Sequence, residues 1–550
     1  MKNRYRNLLY FFPVLYLLLG FYFRQIFGNL SLRSVDPDYL HFLSGLCISV
    51  GKFGQANIDH PGSPLQFLLA IVFKSVYFFR PHKLAYFQDV ILHSDLYLSV
   101  ANLMITLVIA AFLLWLGKTV LKITGNVVYA LSVQTAPFLL KIWYDIIGRI
   151  YPELLFVIPV FILIALFFSE MYSDKKNGKE YVVPYAFAVA FGMALKMTFI
   201  PFLLVPLFLI RKKRNKLKYL LLTVVFFFVL ALPVLFQFGK FRRWMTGIFV
   251  HSGAYQTGSS HILDTGLFVK NLQTLFVAQK LFFIAFFVLA GLLVVFLVLK
   301  KSKEPLFRIG LGLTVAFLGM IFIMGKHYQM RYFVPALLFF PFILIMDLEM
   351  LATFFKKKVV TVFFPVFLML ILGFRLAKMV PEARYTSKYI GAQMAAREKT
   401  AAFVKTLPSD SYKIIVSQDY GCPFQAYAVM YSFCVAGKNW PGAREKLNKL
   451  YPDTYQYFTW DNSLKYWGKP FNPDSIAVSG KPVYLYLQKN TDALFKRTEN
   501  KLFHRFPGYS MQKKPVFENP ENGEAIYQIR ISKRFPADTL SPDTGSKLAQ

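Results

Sequence analysis

The chain has 550 residues, 56% hydrophobic and 18% aromatic, with 60 phenylalanines and a net charge of +34. That composition excludes an ordinary soluble domain, and repeated apolar runs of spanning length read as a polytopic α-helical membrane protein. The runs do not alternate apolar with polar residues, which excludes a β-barrel, and no reading module accompanies the charge, so nucleic acid is not the expected partner.

The placement of charge supports this reading. Residues 381–550 carry +9 and the first 380 carry +25. Much of the excess lies in short clusters between apolar runs: Lys2, Arg4 and Arg6; Lys118 and Lys122; Lys175, Lys176 and Lys179; Arg211 to Lys218; Lys300, Lys301 and Lys303; and Lys356 to Lys358. This is the positive-inside pattern, with membrane lipid headgroups as the partners.

In chain order, the basic start and the run Leu8 to Phe23, with no small-residue cleavage site after it, predict an uncleaved signal-anchor. Further spans are expected at 92–116, 123–140, 152–170, 183–195, 198–210, 219–238, 280–299, 306–325, 332–351 and 359–377, about eleven with the first. With the amino terminus inside, every basic cluster then falls on the cytoplasmic side and the tail falls outside. The first outer loop covers 24–91 and contains an apolar stretch, 64–79, too short and too charged for a span, which suits a juxtamembrane helix.

These elements divide the chain into a transmembrane domain (1–380), an extracytoplasmic α/β domain (381–535) and a disordered tail (536–550). Residues 384–407 read as helix, and 414–416, 483–487 and 525–531 as strands. Cys422 and Cys434 lie in the outer domain, where both a disulfide and two free thiols are open. Tyr451, Tyr455, Tyr457, Trp460 and Trp467 suit either the core of that domain or stacking on a sugar.

Ionisable groups beside a bilayer are costly and point to function. The outer loop reads Ser34-Val35-Asp36-Pro37-Asp38-Tyr39-Leu40-His41, then Asp59-His60-Pro61-Gly62-Ser63-Pro64. Asp36 and Asp38 are two apart and cannot share one helix face. Asp36 reads as a general base or metal ligand, and Asp38 either as its partner or as the N-cap of a helix starting near Tyr39. His60 sits in a turn rigidified by Pro61, Gly62 and Pro64. Asp145, Arg149 and Glu153 would share a face if they lay on one helix, which Pro152 opposes. Lys196, between two apolar runs, and Lys326-His327-Tyr328-Gln329-Met330-Arg331-Tyr332 place cations on the outer side. That opposes the positive-inside trend and suits phosphate binding, snorkelling being the alternative. Arg242, Arg243 and His251, in the long loop 239–279, are weaker candidates.

The arrangement resembles the GT-C superfamily of polyprenyl-phosphate-sugar-dependent glycosyltransferases, most nearly its protein mannosyltransferase and aminoarabinose transferase branch. The resemblance rests on Asp36 and Asp38, the His60-Pro61 turn, Pro152-Glu153 at a span entrance, Lys196, and Arg331-Tyr332 with Pro335 nearby. The chain departs from that branch in having Asp-Pro-Asp instead of adjacent acids, and His-Pro-Gly instead of His-Pro-Pro. The resemblance implies an inverting transfer of a sugar from a polyprenyl-phosphate donor to an extracytoplasmic glycan, lipid or protein hydroxyl. Asp36 or Asp38 would be the base, with Arg331 and Lys196 on the phosphate. His60, Asp145, Arg149, Glu153, Lys326, His327 and Tyr332 would line the substrate site. It requires no cofactor, yet leaves room for a divalent cation between Asp36, Asp145 and Glu153. The expected location is a bacterial inner membrane with the site facing outward. The competing readings are a glycan polymerase or ligase using a diphosphate-linked donor, and a non-enzymatic lipid or glycan transporter.

Overall fold

The computed structural model describes residues 6–33, 36–172, 180–251, 261–301, 304–354, 357–417, 424–459, 461–489, 492–503 and 509–533. The expected disordered tail, 536–550, lies outside them, as do Lys2, Arg4, Ser34, Val35, Lys175, Lys176, Lys179, Lys303, Lys356, Cys422 and Trp460. The chain divides into two compact units, one comprising Met1–Leu30 with Asp36–Gly391, the other Ser31–Val35 with Ala392–Gln550.

Among the described residues, the regular elements of the first unit are all helices. Six of its elements among the described residues are long and apolar enough to cross a membrane: Asn7–Phe27, Ser94–Thr124, Pro152–Tyr172, Lys280–Val298, Pro305–Lys326 and Met330–Leu351. The shorter expected spans also fold as helix. Lys196 separates Val182–Leu195 from Met197–Leu204, and Val127–Gln134 breaks at Thr135 into a short 3-10 segment, Ala136–Leu139. Lys213–Leu230 begins on its basic cluster, which lowers its apolar content below that of the six. Large apolar side chains such as Phe21, Leu18, Phe287 and Val294 stand exposed on these helices, the surface a lipid phase covers. The chain is thus a polytopic α-helical membrane protein with a C-terminal strand-containing unit.

The segment between the first and second of these long helices is built rather than loose. Helix Asp38–Ser49 packs on helix Ser63–Phe79, which opens with Pro64 in its first turn. Tyr86–Leu92 follows as a further short helix. The long loop expected at 239–279 contains two helices, Phe238–Val250 and Thr265–Ala278, the second capped by the Asp264 side chain.

In the second unit, strands β1 (Tyr412–Ser417), β2 (Thr454–Phe458), β3 (Ser463–Tyr466), β4 (Lys469–Pro470), β5 (Val483–Leu487), β6 (Tyr509–Asn519) and β7 (Glu524–Lys533) form one sheet in the order β4-β3-β2-β1-β5-β7-β6. β1 pairs parallel with β2 and β5, and the remaining pairs are antiparallel. Parallel neighbours need crossover connections, supplied by helices Gln425–Val435 and Ala443–Leu450. Ile414, Val416, Tyr455, Tyr457, Leu464, Leu485 and Ile529 form its core. Tyr455 and Tyr457 therefore serve packing, as does the fully buried Trp467. Cys434 is a free thiol.

Candidate active site

The turn that carries the first two acids is fixed from the helix side. The residue preceding helix Asp38–Ser49 is Pro37, and no side chain caps that end. Asp38 is therefore not the N-cap that its position suggested. Its carboxylate is fully buried and accepts hydrogen bonds from Arg149 Nε (2.9 Å), from Arg149 Nη2 and from the backbone N–H of Ile150 (2.7 Å). Such a carboxylate has its acceptor capacity filled and acts as an anchor.

Arg149 is held in turn by a bend between helices. Helix Lys141–Ile146 ends before it, and a 3-10 turn starts at Pro152, so Asp145, Arg149 and Glu153 do not share one helix face. Asp145 stands exposed on the first helix. Asn102, inside the long helix Ser94–Thr124, donates to the carbonyls of Ile147 (3.0 Å) and Arg149 (2.9 Å). Gly148 lies against the first helix so closely that a Cβ there would come within 2.5 Å of Phe27 and 2.7 Å of the Phe23 backbone. The guanidinium also donates from Nη1 to Tyr151 Oη (3.0 Å) and from Nη2 to the carbonyl of Asp36 (3.1 Å).

A second buried ion pair faces the first. Lys196 sits in extended backbone where one helix ends and the next 3-10 turn begins. Its ammonium donates to Glu153 Oε1 at 2.5 Å and lies 4.4 Å from the ring centre of Tyr332. Tyr332 Oη is 3.1 Å from His60 Nε2, and Trp244 meets the His60 ring edge-on at 4.7 Å. The His60 turn is held by Gln66, which donates to the carbonyls of Asn57 and Pro61, and by the Gly62 N–H on the Leu195 carbonyl. Gly62 is at φ +63°, and a Cβ there would fall 2.7 Å from His41 Cε1.

Arg331 completes the constellation. Its guanidinium lies 5.9 Å from the Tyr151 ring centre and interacts electrostatically with Glu153 and Asp36. Its Nε is buried and has no hydrogen-bond partner among the described residues. Lys326 and His327 point elsewhere: Lys326 Nζ donates to the Phe249 carbonyl at 2.8 Å, and His327 lies beside the Ile248 backbone, within electrostatic range of His60. The structure thus brings together Asp36, Asp38, His60, Arg149, Glu153, Lys196, Arg331 and Tyr332, while Asp145 is exposed and Lys326 is bound to the Phe249 carbonyl.

Burial raises the Asp36 carboxyl above the usual carboxylate range, with Arg331, Lys196 and Arg149 pulling it back and Asp38 pushing it up further. Burial also pushes His60 well below its ordinary value, and Lys196, Arg331 and His327 add to the effect, so the ring is neutral. His41 is lowered to about 4, first by burial, with Glu153 opposing and Lys196 adding. Among the described residues, no group of three or more His, Cys, Asp or Glu converges as a metal-ligand set. Glu153 is paired with Lys196, and Asp145 is exposed.

Tyr151, Asn102, His41 and Trp244 belong to the site but were not singled out from sequence. Asn102 carried a signal, as a polar amide inside an apolar span. Tyr151 and Trp244 carried none, since their partners come from distant segments.

No protein-family model matches this chain, and no curated protein matches it. Among solved structures it is similar to the crystal structure of ArnT from Cupriavidus metallidurans bound to undecaprenyl phosphate. The identity is 13% and the TM-score 0.49, over 94% of this chain and 97% of that chain.

Proposed function

We propose that this protein is an integral-membrane, inverting glycosyltransferase that moves a sugar from a polyprenyl-phosphate donor to an extracytoplasmic hydroxyl on a glycan, lipid or protein. The observation that carries this reading is the state of the three cations. Arg149 is committed to Asp38, and Lys196 shares its charge with Glu153, whereas Arg331 keeps a buried, unpartnered donor beside them. An unsatisfied guanidinium N–H is a costly group that a phosphate satisfies. Lys196 carries three donors, and only one goes to Glu153, so it can share the same anion.

Asp36 lies within electrostatic reach of both cations and has the raised carboxyl suited to a base. In the reaction, the acceptor oxygen attacks the anomeric carbon as its proton passes to Asp36. The bond from that carbon to the phosphate oxygen breaks, and Arg331 and Lys196 take up the charge that grows on the departing phosphate. Attack opposite the leaving group inverts the anomeric centre. No step is routed through a metal. His60 and Tyr332, joined by their hydrogen bond, with Trp244 edge-on to the His60 ring, form a neutral wall against the sugar.

The test is equilibrium binding of a synthetic short-chain polyprenyl monophosphate to the detergent-solubilised full chain. Arg331→Ala is expected to weaken binding about tenfold or more, as the loss of a charge-assisted hydrogen bond does. Binding equal to wild type would remove Arg331 from the phosphate site and with it this reading.

A further inference from the structure

One buried histidine of the candidate site takes no part in the transfer step. His41 lies one turn beyond Asp38 on helix Asp38–Ser49, so the two share a helix face. The residue is 7% exposed, and its Nδ1 is buried with no hydrogen-bond partner among the described residues. The ring lies against Gly62, where an added Cβ would fall 3.4 Å from Nδ1. The bare glycine therefore leaves the room that the imidazole fills. His41 is within electrostatic range of Glu153, Lys196 and Arg331 as well as Asp38.

Glu153 carries a second orphaned atom. It is 1% exposed, gives Oε1 to Lys196, and keeps Oε2 buried without a partner among the described residues. The Gly62 N–H donates to the Leu195 carbonyl at 3.1 Å, which ties the turn beside His41 to the segment that carries Lys196. Ser63, next to Gly62, and Thr198, in the turn after Lys196, each bury a hydroxyl with no partner among the described residues. Each such atom is costly to leave unsatisfied, and buried polar groups in folded proteins almost always have a partner.

The acids beside these atoms are already paired, Glu153 with Lys196 and Asp38 with Arg149. The orphaned atoms therefore suit a neutral partner that can donate to a carboxylate oxygen and also meet an imidazole nitrogen. A hydroxyl does both with one oxygen. Resting on the reading of Arg331 and Lys196 as the phosphate site, we infer that His41 and Glu153 Oε2 form a polar subsite for the hydroxyls of the donor sugar, with His41 a specificity-determining residue. The sugar is bonded directly to the phosphate, so a phosphate on Lys196 brings the sugar ring beside Glu153, which Lys196 already holds. A hydroxyl that donates to a carboxylate makes a charge-assisted bond. A site whose buried groups are placed for a hydroxyl rejects the analogue that lacks it, because those groups are then left unpaired.

The experiment measures equilibrium binding to the full chain in detergent. The probes are polyprenyl monophosphate, synthetic short-chain polyprenyl-phosphate pentoses and hexoses, and the monodeoxy analogues of whichever sugar wild type binds best. In wild type, at least one monodeoxy analogue should bind about 10–100-fold more weakly than its parent. His41→Phe should bind the parent and that analogue alike, with monophosphate binding as in wild type. His41→Asn restores a polar atom and should recover part of the preference. Glu153→Gln should also lose the preference, while it frees Lys196 so that monophosphate binding holds or tightens; this variant carries the comparison if His41→Phe does not fold. Folded variants that rank the analogues as wild type does would leave these atoms to an ordered water only and overturn the inference. Wild type that binds the monophosphate and every monodeoxy analogue as tightly as the parent overturns it too, with the donor reading intact. If wild type binds neither the monophosphate nor any sugar of the panel, the donor reading itself fails and takes the inference with it.

Discussion

Arg149 binds the Asp38 carboxylate through both Nε and Nη2, and the same Nη2 reaches the carbonyl of Asp36. One guanidinium therefore fills one acid and places the other, which separates two carboxylates that are only two residues apart. Removing either partner leaves an uncompensated buried charge. Asp38→Ala and Arg149→Ala are each expected to destabilise the protein by about 3–5 kcal/mol. The double variant should lose clearly less than the sum, because the two changes remove one shared interaction. Thermal unfolding in detergent measures all three.

The His60 turn makes a second expectation specific. Gly62 and Gly51 both have positive φ, at +63° and +73°. An added Cβ at Gly51 meets nothing within 4 Å, while one at Gly62 meets His41 at 2.7 Å. Gly51→Ala should therefore cost only the left-handed backbone, about 1–2 kcal/mol. Gly62→Ala should cost more and should displace His60 from Tyr332. The unfolding midpoints of the two variants give the comparison.

Acid lability follows from His41. Its folded value is lowered to about 4 from an ordinary 6.5, because burial disfavours the imidazolium. The unfolded chain then binds the proton more readily than the folded one. The stabilisation is fully present above pH 6.5 and is lost as pH falls through about 4, with an amplitude of about 3 kcal/mol. His41→Asn should flatten the stability profile across that window, measured as the unfolding midpoint from pH 7.5 to 4.5.

Asp36 has the opposite sign. Its folded value is raised, so the stability it contributes is present below the ordinary carboxylate range, about 3.9, and is lost as pH rises through its folded value. Above that folded value the ionised carboxylate is a burden on the fold. Asp36→Asn should raise the unfolding midpoint at pH 7.5 and leave it nearly unchanged at low pH, the exchange of stability for function that active-site acids make.

Much of the architecture was legible because membrane helices announce themselves by length and hydropathy. The apolar runs at 92–116, 280–299 and 306–325 became long helices, and the helix at 64–79 was bounded within a residue. The breaks were less legible. Residues 123–140 read as one span, but Thr135 and Pro137 divide them, and the loop at 239–279 folds into two helices whose polar faces hid their periodicity. In the C-terminal unit, three apolar strands were visible, while β2, β3, β4 and β6 mix tyrosine, lysine and proline and gave no alternation.

The residues of the site were legible as types and not as pairs. Asp38, Arg149, Glu153 and Lys196 each stood out as charge in apolar surroundings, yet Arg149 chose Asp38 across 111 positions and Lys196 chose Glu153 across 43. Sequence spacing suggested a local Asp145–Arg149–Glu153 face, and Pro152 broke it. The polar residues that hold the scaffold, Asn102 and Gln66, act on backbone carbonyls, a role that leaves no pattern in sequence.

The central claim is that Asp36 removes the acceptor proton while Asp38 only anchors. The most direct measurement is single-turnover transfer by Asp36→Asn, from whichever synthetic polyprenyl-phosphate sugar the wild type accepts, alongside binding of a polyprenyl monophosphate. The account expects transfer to fall about 10²–10⁴-fold with phosphate binding retained. Transfer at the wild-type rate by a folded Asp36→Asn protein would contradict it.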